Sequence, residues 1–415
     1  MAIGDLIVGI DIGTSRVCCC LGQINKFNQV EILNSASLEC DGFKKGKYES
    51  TDAIARAIRF TISDIESDYD FEIQSAYVNI LGKYVDVYDT KYGVELEDKY
   101  EGVTQRNIDD IIKGAATASI PEDLQIIDIV PTRFITDTKV TDDPIGIYTK
   151  TLTAELNIFV VKKEIVKMIG SAMQKAGLKI DGIIVNGFAM RDLVLDAEEL
   201  QDGVLLLNAG EGAIDITVFG DNNILYTDSL PIGGDTITND IALTLEISNE
   251  EAVKLKKQYG LSDRNYIEHD YNIKLNSYRG DNEREGFCKC SELVEIIEVR
   301  VNEIFDIISQ SLKDNNLLDS IKGCVITGNG FNNINKIEKS AEMILNTNVR
   351  FGTAKTANLI KPECVTSYGI VKYISNIKYR KNLGSKVKTD DEQSVIDSTL
   401  KNIKKAFTGV FKKNK

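Results

Sequence analysis

The 415-residue chain predicts an α/β protein made of two related halves. Three observations carry that expectation. Leu6-Ile7-Val8 and Val17-Cys18-Cys19-Cys20-Leu21 are apolar runs split by the small-residue turn Gly13-Thr14-Ser15, the pattern of a hairpin buried on both faces. Residues Val204 to Val218 repeat the design, with Asn208 in the place of Asp11, 197 residues on (208 − 11). Apolar strands and amphipathic helices follow the first hairpin in turn, as in a layered α/β fold.

The turns have a chemical reading. Gly13-Thr14-Ser15 brings backbone N–H groups and two hydroxyls to one spot, a cradle for phosphate oxygens. Asp11, just before it, is placed to hold the water shell of a phosphate-bound Mg²⁺. The plain alternative is an ordinary glycine-turn hairpin with a solvated Asp. Two such hairpins facing each other clamp a polyphosphate from both sides.

Composition narrows the field. Hydrophobic content of 43% and charged content of 27% fit a globular protein with a sizeable core. A net charge of −14 argues against nucleic acid as a partner. The single histidine, His269, leaves no room for Ser-His-Asp catalysis or histidine metal sites. Cys18, Cys19 and Cys20 alternate across a strand, and Cys288 and Cys290 lack a partner pair, so the eight cysteines read as reduced thiols. No early apolar run is long enough for a signal peptide, and none approaches the ~20 residues of a membrane span.

In order, Val30–Leu38 reads as a strand, Asp52 opens a helix with Ile54, Ile58, Ile62 and Ile65 inward, and Ser75–Ile80 is a further strand. From 83 to 165 the texture changes. Tyr84–Tyr88, Leu124–Asp137 and Leu152–Val161 read as strands and Gln105–Ser119 as a helix, with Pro121, Pro131 and Pro144 among the five prolines of the chain. This predicts a small inserted α+β module. Lys163–Gly177, ended by a glycine cap, is the helix that leads back. Beyond the second hairpin come Ile237–Leu245, Asn249–Tyr259 and Ser291–Leu312 as helices. Gly233-Gly234 at the first of these is either an anion site or a tight strand–helix corner. Gly323–Thr327 ends in the glycine turn Gly328-Asn329-Gly330, at the strand end where α/β proteins bind ligands. Ser367–Ile377 is the last helix of the body, and Lys378–Ser394 reads as a linker.

The last segment stands apart. Ile396, Leu400, Ile403, Phe407, Val410 and Phe411 form one helical stripe, and six lysines, Lys404, Lys405, Lys412 and Lys413 among them, face Asp397 alone. This gives 395–415 a side-chain charge of +5 and leaves −19 on the rest (−14 − 5). A basic amphipathic helix closing an acidic chain predicts a membrane-surface anchor, with docking on the body as the alternative.

These features resemble the actin/Hsp70/sugar-kinase ATPase superfamily and, within it, the FtsA family of bacterial division proteins, across essentially the whole chain. Gly9–Ser15 resembles the first phosphate motif, Asn208–Asp215 the second, and Thr327–Gly330 the adenosine motif. Glu251-Ala252-Val253-Lys254 matches a Glu-x-x-Lys nucleoside contact. Gly42–Gly46 and Asn79–Lys83 are also FtsA-like. The insertion falls where that family carries its extra subdomain, Asp143–Gly146 resembles a turn within it, and the basic terminal helix is a second hallmark.

The resemblance implies duplicated, ribonuclease H-like domains. The first spans 1–82 and 166–201, with 83–165 inserted; the second spans 202–233 and 300–359 around a small subdomain at 234–299. Residues 360–383 return to the first domain, 384–394 link, and 395–415 target the membrane. It implies ATP and Mg²⁺ as cofactors, the metal met through water by Asp11. Nucleotide would be held by Asp11, Gly13, Thr14, Ser15, Asn208, Gly210, Gly212, Gly233, Gly234, Glu251, Lys254, Gly328, Asn329 and Gly330. The implied partners are the FtsZ C-terminal tail on 234–299, near Arg264, Arg279, Arg284 and Lys289, further copies in an actin-like filament, other divisome proteins and the anionic cytoplasmic membrane face at the septum. Two departures bear on chemistry. The second phosphate motif reads Asn208-Ala209-Gly210-Glu211-Gly212-Ala213 where Asp-x-Gly-Gly-Gly-Thr is usual, and Asn329 stands where glycine is usual. A lost carboxylate and a Glu211 charge near the phosphates imply at most weak ATPase activity. The rival readings are a small-molecule kinase of the superfamily and a pilus-assembly adaptor.

Overall fold

The computed structural model describes residues 6–25, 27, 29–96, 102–277, 286–352 and 362–385. The terminal helix expected at 395–415 lies outside these residues, as do positions 386–394 of the expected linker.

The chain starts with β1 (Leu6–Ile12), β2 (Arg16–Ile24) and β3 (Val30–Glu39), followed by a two-residue hairpin of β4 (Phe43–Lys44) and β5 (Lys47–Tyr48). Helix α1 (Thr51–Glu66) begins where the Ser50 side chain accepts from the Ala53 N–H, and buries Ile54, Ile58, Ile62 and Ile65. Strand β6 (Ser75–Ile80) pairs parallel with β1. The insertion follows, as β7 (Val85–Glu95), α2 (Gln105–Ala115), β8 (Leu124–Thr136), β9 (Val140–Thr141) and β10 (Thr151–Lys162). These strands form their own antiparallel sheet, ordered β7-β10-β8-β9, with α2 and a small apolar core of their own. Next come α3 (Lys163–Lys175), β11 (Lys179–Val185), α4 (Asn186–Val194) and α5 (Ala197–Asp202). Gly177, at φ +87°, turns the chain out of α3.

The second half holds β12 (Val204–Ala209), β13 (Ile214–Gly220), β14 (Asn223–Leu230), α6 (Gly234–Leu245) and α7 (Asn249–Tyr259). It continues with the short pair β15 (Asn272–Lys274) and β16 (Phe287–Lys289), α8 (Cys290–Asp314), β17 (Gly323–Thr327), α9 (Ile337–Leu345) and β18 (Asn348–Phe351). Helix α10 (Val365–Ser385) then returns to the first half and packs on β1, β2 and α4. It starts two residues earlier than the periodicity predicts and runs on through Ser385. The stretch read as linker from Lys378 is therefore helical at its start.

The two main sheets share one design. Their strand orders are β3-β2-β1-β6-β11 and β14-β13-β12-β17-β18, antiparallel over the first three strands and parallel over the last three. Each is covered by its own core, one around Ile10, Leu21 and Ile58, the other around Leu205, Ile216 and Phe305. The hairpins are indeed buried on both faces: Val17 through Leu21 and Val204 through Leu207 are all inaccessible. In such strands a continuous apolar run replaces alternation.

Candidate functional site: the cleft between the halves

Both glycine turns open on one cavity of about 430 Å³. They are built alike, the Gly13 N–H bonding the Arg16 carbonyl and the Gly210 N–H the Ala213 carbonyl, each at 2.9 Å. The Gly212 N–H donates to Thr14 Oγ1 at 3.0 Å, so the turns touch. A third turn closes the cavity from β17. Gly328, at φ +90°, and Gly330 run so close to β12 that a Cβ at Gly330 would lie 2.1 Å from the Gly210 carbonyl.

Of the residues expected to hold nucleotide, Asp11, Gly13, Thr14, Ser15, Asn208, Gly210, Gly328 and Asn329 line this cavity. Gly212 and Gly330 lie just behind the wall as packing positions. The rest are placed differently. The Gly234 and Asp235 N–H groups donate to the Gly210 and Glu211 carbonyls at 3.1 and 2.8 Å. The start of α6 is thus a strand–helix corner, and Gly233 and Gly234 present no amide cradle. Glu251 turns away: its carboxylate takes the Asn276 and Ser277 N–H groups at 2.5 Å each. Lys254 is exposed on α7. The lysine that reaches the site is Lys256, 7% exposed, whose Nζ donates to the Gly234 carbonyl at 2.9 Å and lies 3.7 Å from Glu211. This also revises the expectation for Glu211, whose carboxylate is drawn to Lys256 instead of standing free beside the phosphate turn. Burial and the neighbouring Asp235 nevertheless raise its pKa above the usual carboxylate range.

The cleft floor holds a polar chain that spans both halves. Asn79 Nδ2 donates to Asp11 Oδ1 at 2.6 Å and to Asn186 Oδ1 at 3.1 Å, while its own Oδ1 accepts the Ile12 N–H at 2.7 Å. Asn186 in turn bonds Asp215. Thr366, in the first turn of α10, bonds Asp11. Burial pushes the Asp11 carboxyl up to about 7, the Thr366 bond opposing and the Asp215 charge adding to the shift. Burial likewise pushes Asp215 to about 7, against bonds from Ser229 and Gly82.

Asp215, Asn79, Asn186, Thr366 and Lys256 were not among the residues expected to hold nucleotide, although Asp215 ends the Asn208–Asp215 stretch and Asn79 begins the Asn79–Lys83 stretch that carry the family resemblance. A signal existed for one of them. Asp215 stands directly opposite Asn208 in the β12–β13 register, as Cys18 stands opposite Asp11. The second hairpin therefore keeps a carboxylate at the cleft, on the facing strand.

Two halves with the same five-stranded sheet, each lending a glycine hairpin to a shared cleft, define an actin-like protein. Solved structures agree on the fold. The chain aligns with one from the PilM-PilN type IV pilus biogenesis complex at a TM-score of 0.58 and 15% identity, covering 89% of this chain and 98% of the other. With MreB5 of Spiroplasma citri bound to AMPPNP the TM-score is 0.52 at 14% identity, over 91% and 98%. The model for "Cell division protein FtsA" matches residues 205–369, and that for "SHS2 domain inserted in FTSA" matches 82–160. FtsA from Bacillus subtilis (strain 168) is 27% identical over 370 residues, 89% of this chain and 83% of that protein. FtsA from Escherichia coli (strain K12) is 24% identical over 382 residues, 89% and 90%. The chain belongs to the FtsA family of actin-like cell-division proteins.

Proposed function

We propose that this protein binds ATP with Mg²⁺ in the cleft and ties the division protein FtsZ to the cytoplasmic face of the membrane, where it helps assemble the divisome. The observation that carries the nucleotide half is the meeting of two glycine turns over two carboxyls, half-buried Asp11 and buried Asp215. Both carboxyls line the one cavity, where their charge, once ionised, is available to metal-bound water. Among the described residues no three His, Cys, Asp or Glu side chains converge, which suits a metal held mainly by phosphate and water. Mg²⁺, when bound, supplies the positive charge that neutralises the polyphosphate. Gly13, Thr14 and Ser15 position phosphate from one side and Gly210 from the other, while Gly328 and Asn329 frame the nucleoside end. Asn208 brings no charge to the metal, so ATP serves chiefly to close the two halves, with slow turnover.

The partner half of the proposal rests on kinship and on the surface of 234–299. Leu243, Val253 and Val299 are exposed apolar side chains on α6, α7 and α8. Arg264 is already engaged by Glu295 at 3.1 Å and Glu298 at 2.7 Å, and so is a poor first anchor for an acidic tail. Arg279, Arg284 and the 395–415 stripe lie outside the described residues. No helix among the described residues is long and apolar enough to cross a membrane.

Sedimentation with anionic vesicles tests the proposal. The full chain, with MgATP and FtsZ, is expected to carry FtsZ into the vesicle pellet. FtsZ left in the supernatant while this protein pellets would defeat the tethering role. An FtsZ-tail peptide is expected to bind in the micromolar range at low salt and weaken as salt rises.

A further inference from the structure

The inserted subdomain hangs from the first half by two adjacent strand ends, β7 at Val85 and β10 at Val161, which pair with each other. Its opening turn, Gly82–Tyr84, crosses to the second half. The Gly82 N–H donates to Asp215 Oδ1 at 2.8 Å, and the Lys83 N–H to Ser229 Oγ at 3.2 Å. The Ser229 hydroxyl bonds the same Asp215 oxygen. The fit is close: a Cβ at Gly82 would lie 2.2 Å from Thr227 Oγ1 and 2.8 Å from the Asp228 nitrogen. Farther along, Asn157 Nδ2 donates to the Ile224 carbonyl at 3.2 Å.

Asp215, 3% exposed, thus has two duties. It forms part of the cleft wall, joined through Asn186 and Asn79 to Asp11, and it is the acceptor that fastens the root of the insertion to the second half. A carboxylate has about four lone-pair sites. Gly82 and Ser229 both draw on Oδ1, so a cation or metal-bound water recruiting that oxygen competes with the bonds that hold the insertion.

We propose that Asp215 is the lever through which the cleft sets the position of the inserted subdomain: a Mg²⁺-nucleotide that engages Asp215 loosens Gly82 and Ser229 and lets the insertion shift against the second half. This rests on the nucleotide reading of the cleft. A ligand moves such an equilibrium only by interacting differently with its two states, and the shared carboxylate supplies that difference.

The test uses the full chain with Tyr148→Cys on the insertion and Leu243→Cys on α6, both exposed, each carrying a spin label. The eight native cysteines are all buried, which directs labelling to the new ones. Inter-label distances are measured without ligand, with Mg²⁺ alone and with Mg²⁺-AMPPNP, while equilibrium dialysis follows binding independently. Mg²⁺-AMPPNP is expected to shift the main distance and to raise amide exchange at Gly82 roughly tenfold. Ser229→Ala is expected to show the shifted distance before any ligand is added, and Ser229→Thr to restore the original one. A nucleotide that binds and leaves both readouts unchanged overturns the lever, as does a Ser229→Ala protein with wild-type distances. If dialysis finds no binding, the nucleotide reading fails and Ser229→Ala alone decides the mechanical link: a shifted distance upholds it, an unshifted one overturns it.

Discussion

At the scale of single residues, Asp11 and Asp215 determine how the protein answers to pH. Both have an ordinary value of 3.8 and a folded value of about 7. Between those values the folded chain keeps protons that the unfolded chain has shed. Their stabilisation is whole below about pH 4 and is lost as pH rises through about 7. The melting temperature is therefore expected to fall by several degrees from about pH 5 to about pH 8, and Asp215→Asn to flatten that slope. An unaltered slope in the variant would show that the response arises elsewhere. Charge also limits the chemistry. Phosphoryl transfer needs the metal to offset charge on the leaving oxygens, and Asn208 brings none. Asn208→Asp with Glu211→Gly is expected to raise Mg²⁺-dependent hydrolysis, measured as phosphate release. Removing Glu211 also leaves Lys256 without its counter-ion, at a cost of about 1–2 kcal/mol in a denaturant melt. Brisk wild-type turnover that this double change reduces would show that the second turn is not what limits the reaction.

Among elements, the turns between strands are the sensitive parts. Gly330→Ala presses a Cβ against the Gly210 carbonyl, a backbone atom that cannot rotate aside, and is expected to cost about 1–3 kcal/mol and weaken nucleotide binding. Gly146→Ala is the comparison. Nothing lies within 4 Å of a Cβ there, and only its φ of +81° resists the change, so about 1 kcal/mol with no effect on nucleotide is expected. Equal losses in urea midpoint and in affinity for the two variants would mean that the β12–β17 approach is not part of the site. Helix α7 shows how an element can mislead. Its buried side is Glu251, Ala252, Leu255 and Lys256. Lys254 and Lys256 are two residues apart, which on a helix is about 200° and close to opposite faces. The apolar pair Ala252 and Leu255 was the cue to the inward face, and Lys256 sits beside it.

For the whole molecule, charge separation is the leading fact. A body of −19 carrying a segment of +5 is repelled by an anionic bilayer except through that segment. Truncation before Val395, or Phe407→Glu with Phe411→Glu, is expected to release the protein from anionic vesicles in a flotation assay. Flotation that survives truncation would assign membrane binding to the body. On the proposed function, we expect assemblies of the protein that grow on the vesicle surface and diminish with salt.

The sequence alone determined the two hairpins, the duplication and the inserted module. Strands buried on both faces must be continuous apolar runs, and glycine turns must punctuate them, so the pattern survives without any knowledge of tertiary contacts. It also marked the first turn and the third as cleft residues, since their role follows from local backbone geometry. What only the tertiary structure decided is where polar side chains from distant segments end up. Asn79, Asn186 and Thr366 meet Asp11 and Asp215 because five separate segments converge on the cleft, and no local period records that. Gly233 and Gly234 look like an anion site until the carbonyls of Gly210 and Glu211 are seen to occupy the Gly234 and Asp235 amides at the start of that helix. Hydrogen-bond partners across some twenty residues or more are set by packing, and packing is what a linear pattern leaves out.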